Sequence, residues 1–209
     1  MIEEKTKKLS SIQIIIASKN VHKIREIKAI LNPIEYLDVL SLCNFPKYIP
    51  PEETGTNFLE NAKIKALSAA KALNQWVLAE DSGLIVPALK GDPGVFSARY
   101  AGNEASDADN RKKLLENMQS LLDQDRSAYF ECCMVLASPD GIKKTVTANC
   151  EGEILTKERG GGGFGYDPVF IKNNYNKSFG ELEESIKNRI SHRRKAIDKL
   201  LFEIESIIK

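Results

Sequence analysis

Residues 78–84 read LAEDSGL, and this stretch decides the fold because an apolar run carries two adjacent carboxylates, Glu80 and Asp81, into a Ser-Gly pair. We interpret it as a buried strand that ends at a Ser-Gly turn, and the strand ends of α/β sheets are where ligands bind. The two carboxylates would repel each other unless a proton or a cation, most simply a divalent metal, neutralised them. The alternative is that Glu80 points to solvent and Asp81 caps the turn or the next element.

A second polar corner lies near the start of the chain. Residues 18–26 read SKNVHKIRE and follow an apolar run that predicts a strand near 12–18. A helix over 20–31 should come next, with Asn20 as its N-cap, and Lys23 would then lie beside exposed backbone N–H groups that favour an anion. The corner is typical of a phosphate site, although it is neither a Walker A loop nor a dinucleotide fingerprint. A solvated surface lysine is the alternative interpretation.

The rest of the chain predicts a mixed, twisted α/β sheet flanked by helices. In the first half we expect a strand over 34–42, a proline-containing loop over 43–56, a helix over 57–74 capped by Asn57, and the strand over 76–80. In the second half we expect a helix over 107–122 capped by Ser106, a hairpin of strands 129–137 and 142–150, a glycine-rich loop over 157–167, and a final helix capped by Ser191. The caps follow from the preference of Asn and Ser for helix starts.

Composition sets the class of protein. A chain of 209 residues with 42% hydrophobic residues can bury a full core, and a single α/β domain over 1–209 is the simplest organisation. The net charge of +1 argues against a general nucleic-acid binder. Residues 1–10 form a charged extension that we expect to be flexible, with no signal core, and no stretch is long enough to span a membrane. A cytoplasmic location is the expectation.

The four cysteines predict packing rather than metal binding or disulfide formation. Cys43, Cys132, Cys133 and Cys150 show no C-x-x-C spacing. Cys132 and Cys133 are neighbours in a predicted strand, so their side chains should point to opposite faces of the sheet. We therefore expect all four to be reduced.

Six short blocks, in this order, resemble those of the inosine triphosphate pyrophosphatase family, whose bacterial members are XTP/dITP diphosphatases. They are residues 18–26, 52–62, 80–84, 94–102, 162–168 and 191–193. The resemblance implies an α/β fold with a cleft between two lobes. It also implies Mg²⁺-dependent hydrolysis of a deaminated purine nucleoside triphosphate (ITP, dITP or XTP) to the monophosphate and pyrophosphate. A homodimer is expected from the resemblance and from the apolar middle segment.

The resemblance assigns the catalytic centre to carboxylates. Asp81 would accept a proton from the attacking water and bind the metal. Glu52 is the preferred second metal ligand, while the adjacent Glu53 stays open because the two residues are the same type. Glu80 stands where many members of the family have Asp, so a direct place for Glu80 in the metal shell is left open.

The resemblance also assigns the substrate contacts. The phosphates would meet the side chains of Ser18, Asn20, Lys23 and Lys65. The backbone amides from Lys19 to His22 (Lys19, Asn20, Val21 and His22) would line the turn, and Ser82 joins the nucleotide site. Lys19 occupies a position where many relatives have Gly, so its side chain could crowd the phosphate. For Lys65 the alternative is a helix-surface lysine.

The last blocks of the resemblance imply the base site. Its residues would be Phe164, Gly165, Tyr166, Asp167, Lys187, His192 and Arg193. The aromatic side chains could stack on a purine, and Asp167 could accept hydrogen bonds from sugar or base. His192 and Arg193 could donate to the 6-oxo group of hypoxanthine or xanthine, which adenine lacks. His22 and His192 have no metal-ligand spacing, and no metal is assigned to them.

Two other functions stay open from the sequence. One is a Maf-type pyrophosphatase that prefers other modified nucleotides, and the other is a nucleotide-binding module without turnover. The presence of Asp81, Glu52, Lys23 and Lys65 argues against the module, and the Ser-His-Arg block favours the deaminated-purine enzyme over the Maf type.

Overall fold

The fold is built on one six-stranded mixed sheet in a computed structural model that describes residues 11–122 and 125–208. The strands follow the order β2-β1-β3-β4-β5-β6 across the sheet. They are β1 (Ile12–Ile16), β2 (Leu37–Ser41), β3 (Trp76–Ile85), β4 (Ser127–Ser138), β5 (Gly141–Ile154) and β6 (Phe170–Lys172). Strands β2, β1 and β3 are parallel, and the others pair antiparallel. The predicted mixed α/β sheet is confirmed.

The helices cover the sheet and carry most of the predicted caps. They are α1 (Val21–Leu31), α2 (Phe58–Leu73), α3 (Asp107–Asn117), α4 (Glu184–Ile190), α5 (His192–Asp198) and α6 (Leu201–Ile208). The four expected N-caps are confirmed, each by a side chain that accepts a backbone N–H: Asn20, Asn57, Ser106 and Ser191. The predicted final helix is in fact two helices, α5 and α6, and α3 ends five residues before the predicted 122.

Strand β3 differs from its prediction in a way that matters for the site. It does not end at a Ser-Gly turn, because Ser82 and Gly83 pair with Cys132 and Glu131 in the antiparallel ladder to β4. A side chain at Gly83 would collide with the 3-10 segment Gly94–Arg99, which packs directly against the strand there. Gly83 therefore allows the 94–99 segment to approach β3 closely, rather than forming a turn.

The two carboxylates of β3 lie on opposite faces of the sheet. Successive side chains alternate along a strand, so Glu80 shares the face of Leu78 and Asp81 that of Ala79. On β4, Cys132 and Cys133 also point to opposite faces, as the sequence predicts. Cys132 belongs to the core cluster of Leu78, and Cys133 belongs to that of Ala79. The like-charge repulsion that the sequence argument assigned to the pair is therefore relieved by geometry, and each carboxylate has its own set of cations.

Three hydrophobic clusters pack against the sheet and hold these faces in place. One lies under α1, α5 and α6, a second under α2, and a third around the far half of the sheet near α3 and β6. The four cysteines are free, as expected, and three of them are buried in the core; Cys43 is exposed, so the expectation that it packs in the interior is wrong. Among residues 11–122 and 125–208, no helix is long and apolar enough to cross a membrane. The expected flexible extension, residues 1–10, lies outside the described residues, and the single-domain organisation stays a prediction.

Candidate active site

A cavity of about 400 Å³ collects segments that are far apart in the chain. Its walls come from the β1–α1 corner, β3, the 94–99 segment, the 164–167 loop and the start of α5. The predicted site residues that line it are Ser18, Lys19, Asn20, Lys23, Lys65, Asp81, Ser82, Phe164, Gly165, Tyr166, Asp167, His192 and Arg193. Four predicted site residues, Val21, His22, Glu52 and Lys187, are not among the lining residues. A volume of this size suits a small organic ligand.

Asp81 faces α2 and its cations. Its Oδ1 lies 3.0 Å from Lys65 Nζ, and its Oδ2 accepts a hydrogen bond from Asn61 Nδ2 at 3.2 Å. Burial raises the pKa of Asp81, and the attraction of Lys65 and Lys23 only partly offsets this. A carboxylate with a raised pKa is better suited to accept a proton than an ordinary surface aspartate.

Lys65 is a buried cation between two carboxylates rather than a surface lysine. Its Nζ contacts Asp81 at 3.0 Å and Glu53 Oε2 at 3.2 Å, and its side chain is 12% exposed. Burial alone would lower its pKa, but Asp81 and Glu53 outweigh that effect and raise it. Lys65 therefore stays charged and draws the two carboxylates together at one point.

The geometry favours Glu53 over Glu52 as the partner of Asp81. Both residues are exposed, but Glu53 lines the cavity and contacts Lys65, whereas Glu52 does not line it. The sequence preference for Glu52 thus has no support from the contacts, because side chains of adjacent residues in this extended loop need not point the same way. Two carboxylates that already converge on one cation offer the hard oxygen ligands that Mg²⁺ takes, so the donor set fits. Within the described ranges no cluster of three or more His, Cys, Asp or Glu forms a complete metal cage.

Glu80 is neutralised by basic side chains on the other face of β3. Its Oε1 lies 2.8 Å from Lys23 Nζ and 3.2 Å from Arg193 Nη2. Its Oε2 accepts a weak hydrogen bond from Cys132 Sγ at 3.2 Å. Burial would raise its pKa, yet Arg193 and Lys23 hold the pKa of Glu80 well below its usual value. Glu80 therefore links Lys23 to Arg193 and lies apart from Asp81.

The β1–α1 corner has the predicted turn, although part of its hydrogen bonding is internal. Asn20 Oδ1 accepts the backbone N–H groups of His22 at 3.0 Å and Lys23 at 3.2 Å. Ser18 Oγ accepts the N–H of Asn20 at 3.1 Å. Two of the backbone amides that were expected to line the phosphate, those of Asn20 and His22, thus donate within the turn, because an N-cap satisfies the same groups that would bind an anion.

A buried network of ion pairs lies behind the base site. The two carboxylate oxygens of Glu26, on α1, each accept one hydrogen bond. One comes from Lys187 Nζ at 2.7 Å and the other from Arg193 Nη1 at 2.8 Å. Lys187 also pairs with Asp167 Oδ2, which accepts the N–H of Phe164 at 2.8 Å as well. Lys187 and Asp167 thus tie the 164–167 loop to α1, and their expected contacts with sugar or base stay a prediction.

Phe164 and His192 form the aromatic part of the site. The ring of Phe164 stacks on His22 with centroids 5.1 Å apart, so the His22 side chain supports Phe164. His192 stacks on Phe130 at 4.8 Å. Burial and the charge of Arg193 lower the pKa of His192 well below its usual value, so the imidazole is neutral at pH 7. Its Nδ1 is buried without a partner among the described residues, as is Nε of Arg193.

Two functional residues were missed by the sequence reasoning. Asn61 binds Asp81 and also accepts the N–H of Gly55 at 2.8 Å, which ties the glutamate loop to α2. Glu26 holds both Lys187 and Arg193. Both residues lie inside the blocks 52–62 and 18–26, so their presence there was the available signal.

Glu80 predicts an acid-sensitive stability. Because its pKa is depressed in the folded state, its contribution is fully present above its unfolded pKa, about 4.5, and is lost as the pH falls through the folded pKa. The free energy of unfolding of the wild type minus that of Glu80→Gln should therefore be largest above pH 5 and shrink below about pH 4.5. Urea titrations between pH 3 and pH 7 measure this, and a difference that stays constant over the range would contradict it.

The mixed sheet and a cavity lined by paired carboxylates and lysines define the chain as an α/β protein with a charged candidate site. A family model described as the Ham1 family matches residues 14–203. The chain belongs to the Ham1 family, and the resemblance drawn from the six blocks is confirmed.

Individual relatives extend the match over nearly the whole chain. A protein of Protochlamydia amoebophila named dITP/XTP pyrophosphatase is 55% identical over 93% of this chain and 98% of its own length. One of Chlamydia trachomatis serovar L2 with the same name is 50% identical over 94% of each chain. The Ham1 protein of Staphylococcus aureus superposes with a TM-score of 0.81 at 41% identity, over 93% of this chain and 98% of that one.

Proposed function

We propose that the chain is a nucleoside triphosphate pyrophosphatase that converts deaminated purine nucleotides, ITP, dITP and XTP, to the monophosphate and pyrophosphate, and so removes them from the nucleotide pool. The observation that carries this is the arrangement of the cavity. A carboxylate–lysine cluster around Asp81 lies on one face of β3, and a set of hydrogen-bond donors around Arg193 lies on the other. The names of the relatives, dITP/XTP pyrophosphatase, support the same activity over the Maf-type and non-catalytic alternatives.

The carboxylate cluster supplies the chemistry of hydrolysis. Asp81 accepts the proton of the water that attacks the α-phosphorus, because its carboxylate lines the cavity and is held there by Lys65 and Asn61. Asp81 and Glu53 would hold Mg²⁺, which would supply positive charge to offset the negative charge that develops on the phosphate oxygens. Asn61 donates to Oδ2 of Asp81 and so keeps its carboxylate in one orientation.

The lysines hold the phosphate tail. Lys23 is 18% exposed and lies at the cavity wall, and it shares its charge between Glu80 and an incoming phosphate. Lys65 lies across the strand beside Asp81. The two cations therefore approach the same substrate from opposite faces of β3, which favours a ligand with several negative charges.

The base is read by donors that the protein leaves unpaired. Arg193 uses Nη1 for Glu26 and Nη2 for Glu80 and Ser82, while Nε has no partner among the described residues. His192 and Arg193 both line the cavity, and an N–H donor of either at its wall gains a hydrogen bond with the 6-oxo group of hypoxanthine or xanthine, whereas the 6-amino group of adenine would meet it donor to donor.

Replacing Arg193 by Ala should narrow the ratio of kcat/KM for ITP over ATP by roughly 10- to 100-fold, because an unpaired buried polar group costs about 1–3 kcal/mol. The change also removes two buried ion pairs, so the free energy of unfolding of the variant will be lower than that of the wild type. The ratio is insensitive to that loss, since both substrates are measured on one preparation. Equal loss of activity on ITP and ATP would show that Arg193 serves the phosphates or the fold instead.

Product analysis tests the proposed reaction. The purified chain is incubated with Mg²⁺ and, separately, with ITP, dITP, XTP, ATP and GTP, and pyrophosphate and orthophosphate are measured in parallel. We expect pyrophosphate from the three deaminated nucleotides and little product from ATP or GTP. Orthophosphate as the main product, or equal rates on ATP and ITP, would overturn the proposal.

We also expect a homodimer, because two-fold dimers are the commonest soluble oligomers and the family resemblance favours the same state. The expected location is the cytoplasm. Light scattering at micromolar concentration should give twice the chain mass of 23.3 kDa. A particle of 23.3 kDa would count against the dimer.

A further inference from the structure

Both backbone polar groups of Gly165 are held by one helix. The N–H of Gly165 donates to Asp107 Oδ2 at 2.7 Å, and Nη1 of Arg111 donates to the Gly165 carbonyl oxygen at 2.9 Å. Asp107 and Arg111 are four residues apart on α3, so their side chains lie on the same face. These contacts join parts of the chain that are more than 50 residues apart in sequence, and both involve a charged group, which strengthens a hydrogen bond.

The helix that carries this pair is itself fixed. Leu114 and Met118 are fully buried in the third hydrophobic cluster. Asn110 accepts the N–H of Ala101 at 2.8 Å and donates to the carbonyl oxygen of Ala98 at 3.2 Å. The start of α3 therefore offers a rigid platform beside the cavity.

The glycine that is held lies between the two aromatic residues of the base site. Gly165 has a φ of 58°, in the left-handed region, and follows a run of glycines that provides few side chains for packing. Phe164 precedes it, and Tyr166 follows it with its hydroxyl donating to the Ser97 carbonyl oxygen at 2.9 Å. The direction of the Phe164 ring is thus set by its own contacts with His22 and Asp167 together with the contacts that α3 makes to Gly165.

We propose that Asp107 and Arg111 are positioning residues that fix Phe164 against the purine and thereby set base selectivity. The inference rests on the proposed function, since it assigns the 164–166 segment to the base. Neither residue is placed at the reacting atoms, so their loss should weaken productive binding of the base rather than slow the chemical step. The signature is a rise in KM with kcat little changed.

The test uses Asp107→Ala and Arg111→Met in the full chain, with steady-state kinetics on ITP and ATP. Each variant should raise KM for ITP about tenfold or more, because losing a hydrogen bond to a charged group costs roughly that factor in binding. The kcat for ITP should stay within about twofold of the wild type, and the ratio of kcat/KM for ITP over ATP should fall. Glu158→Gln is the matched control, because Glu158 pairs with Nε of Arg111 at 3.0 Å without touching Gly165. Lys112→Met controls for a change on an exposed position of the same helix. Both controls should keep the wild-type KM.

Hydrogen–deuterium exchange gives a readout independent of turnover. Peptides that cover residues 160–167 should exchange faster in Asp107→Ala and Arg111→Met than in the wild type. Their exchange rate in Glu158→Gln should equal that of the wild type. Wild-type KM, selectivity and exchange in a folded Asp107→Ala protein would overturn the proposal, and if that variant does not fold, Arg111→Met decides by the same criteria. If the wild type releases no pyrophosphate from ITP, the proposed function fails, while the exchange result still reports whether α3 holds the loop.

Discussion

Asp81→Asn is expected to lower kcat for ITP at least ~100-fold, because it removes both the proton acceptor and one metal ligand. The change is nearly isosteric and removes a charge whose burial is unfavourable, as the raised pKa of Asp81 indicates. The melting temperature should therefore stay close to that of the wild type. Pyrophosphate release and a thermal scan on the same preparation measure both quantities.

A pair of neighbouring variants serves as the control for this prediction. Glu53→Gln should raise the Mg²⁺ concentration needed for half-maximal activity, because Glu53 and Asp81 both contact Lys65 Nζ and so lie close together. Glu52→Gln should leave it unchanged, since Glu52 is exposed and does not line the cavity. An Asp81→Asn protein with near wild-type turnover would remove the basis of the proposed mechanism.

Glu26→Ala should be the most destabilising of the single substitutions considered. Glu26 is 3% exposed and is the only described residue that pairs with both Lys187 and Arg193. Breaking a buried ion pair typically costs about 3–5 kcal/mol, and the lower end applies here because Lys187 keeps Asp167 and Arg193 keeps Glu80. For a chain of this length the melting temperature should fall by roughly 6–12 °C.

An exposed pair on the same side of the molecule gives the comparison. Asp198 binds Arg194 one helical turn away, and both side chains are more than one third exposed. Asp198→Ala should cost no more than about 0.5 kcal/mol, as exposed helix pairs usually do. A melting temperature for Glu26→Ala within 2 °C of the wild type, or equal losses in the two variants, would mean that the buried network adds little to stability.

Local signals were enough to predict much of the fold and the elements of the site. The caps Asn20, Asn57 and Ser191 are properties of short segments, and the structure has them where the sequence predicts them. The alternation of Cys132 and Cys133 follows from strand geometry alone. Where a neighbouring part of the chain decides the outcome, the prediction failed: Ser82 and Gly83 form a usual turn sequence, yet pairing with β4 extends the strand through them.

The site shows the same limit. Sequence spacing cannot tell Glu52 from Glu53, because the choice depends on which side chain reaches Lys65 on another element. The separation of Glu80 from Asp81 likewise depends on both residues lying within one continuous strand. Glu26 pairs with residues more than 160 positions away, and such contacts leave no periodic pattern in the sequence.

The site of water attack tests the central claim most directly. In the proposed mechanism, Asp81 activates a water that attacks the α-phosphorus of ITP. Hydrolysis in ¹⁸O-labelled water, followed by mass spectrometry of the products, should place the label in inosine monophosphate and leave the pyrophosphate unlabelled. Label in the pyrophosphate, or in orthophosphate released from the γ position, would contradict the account.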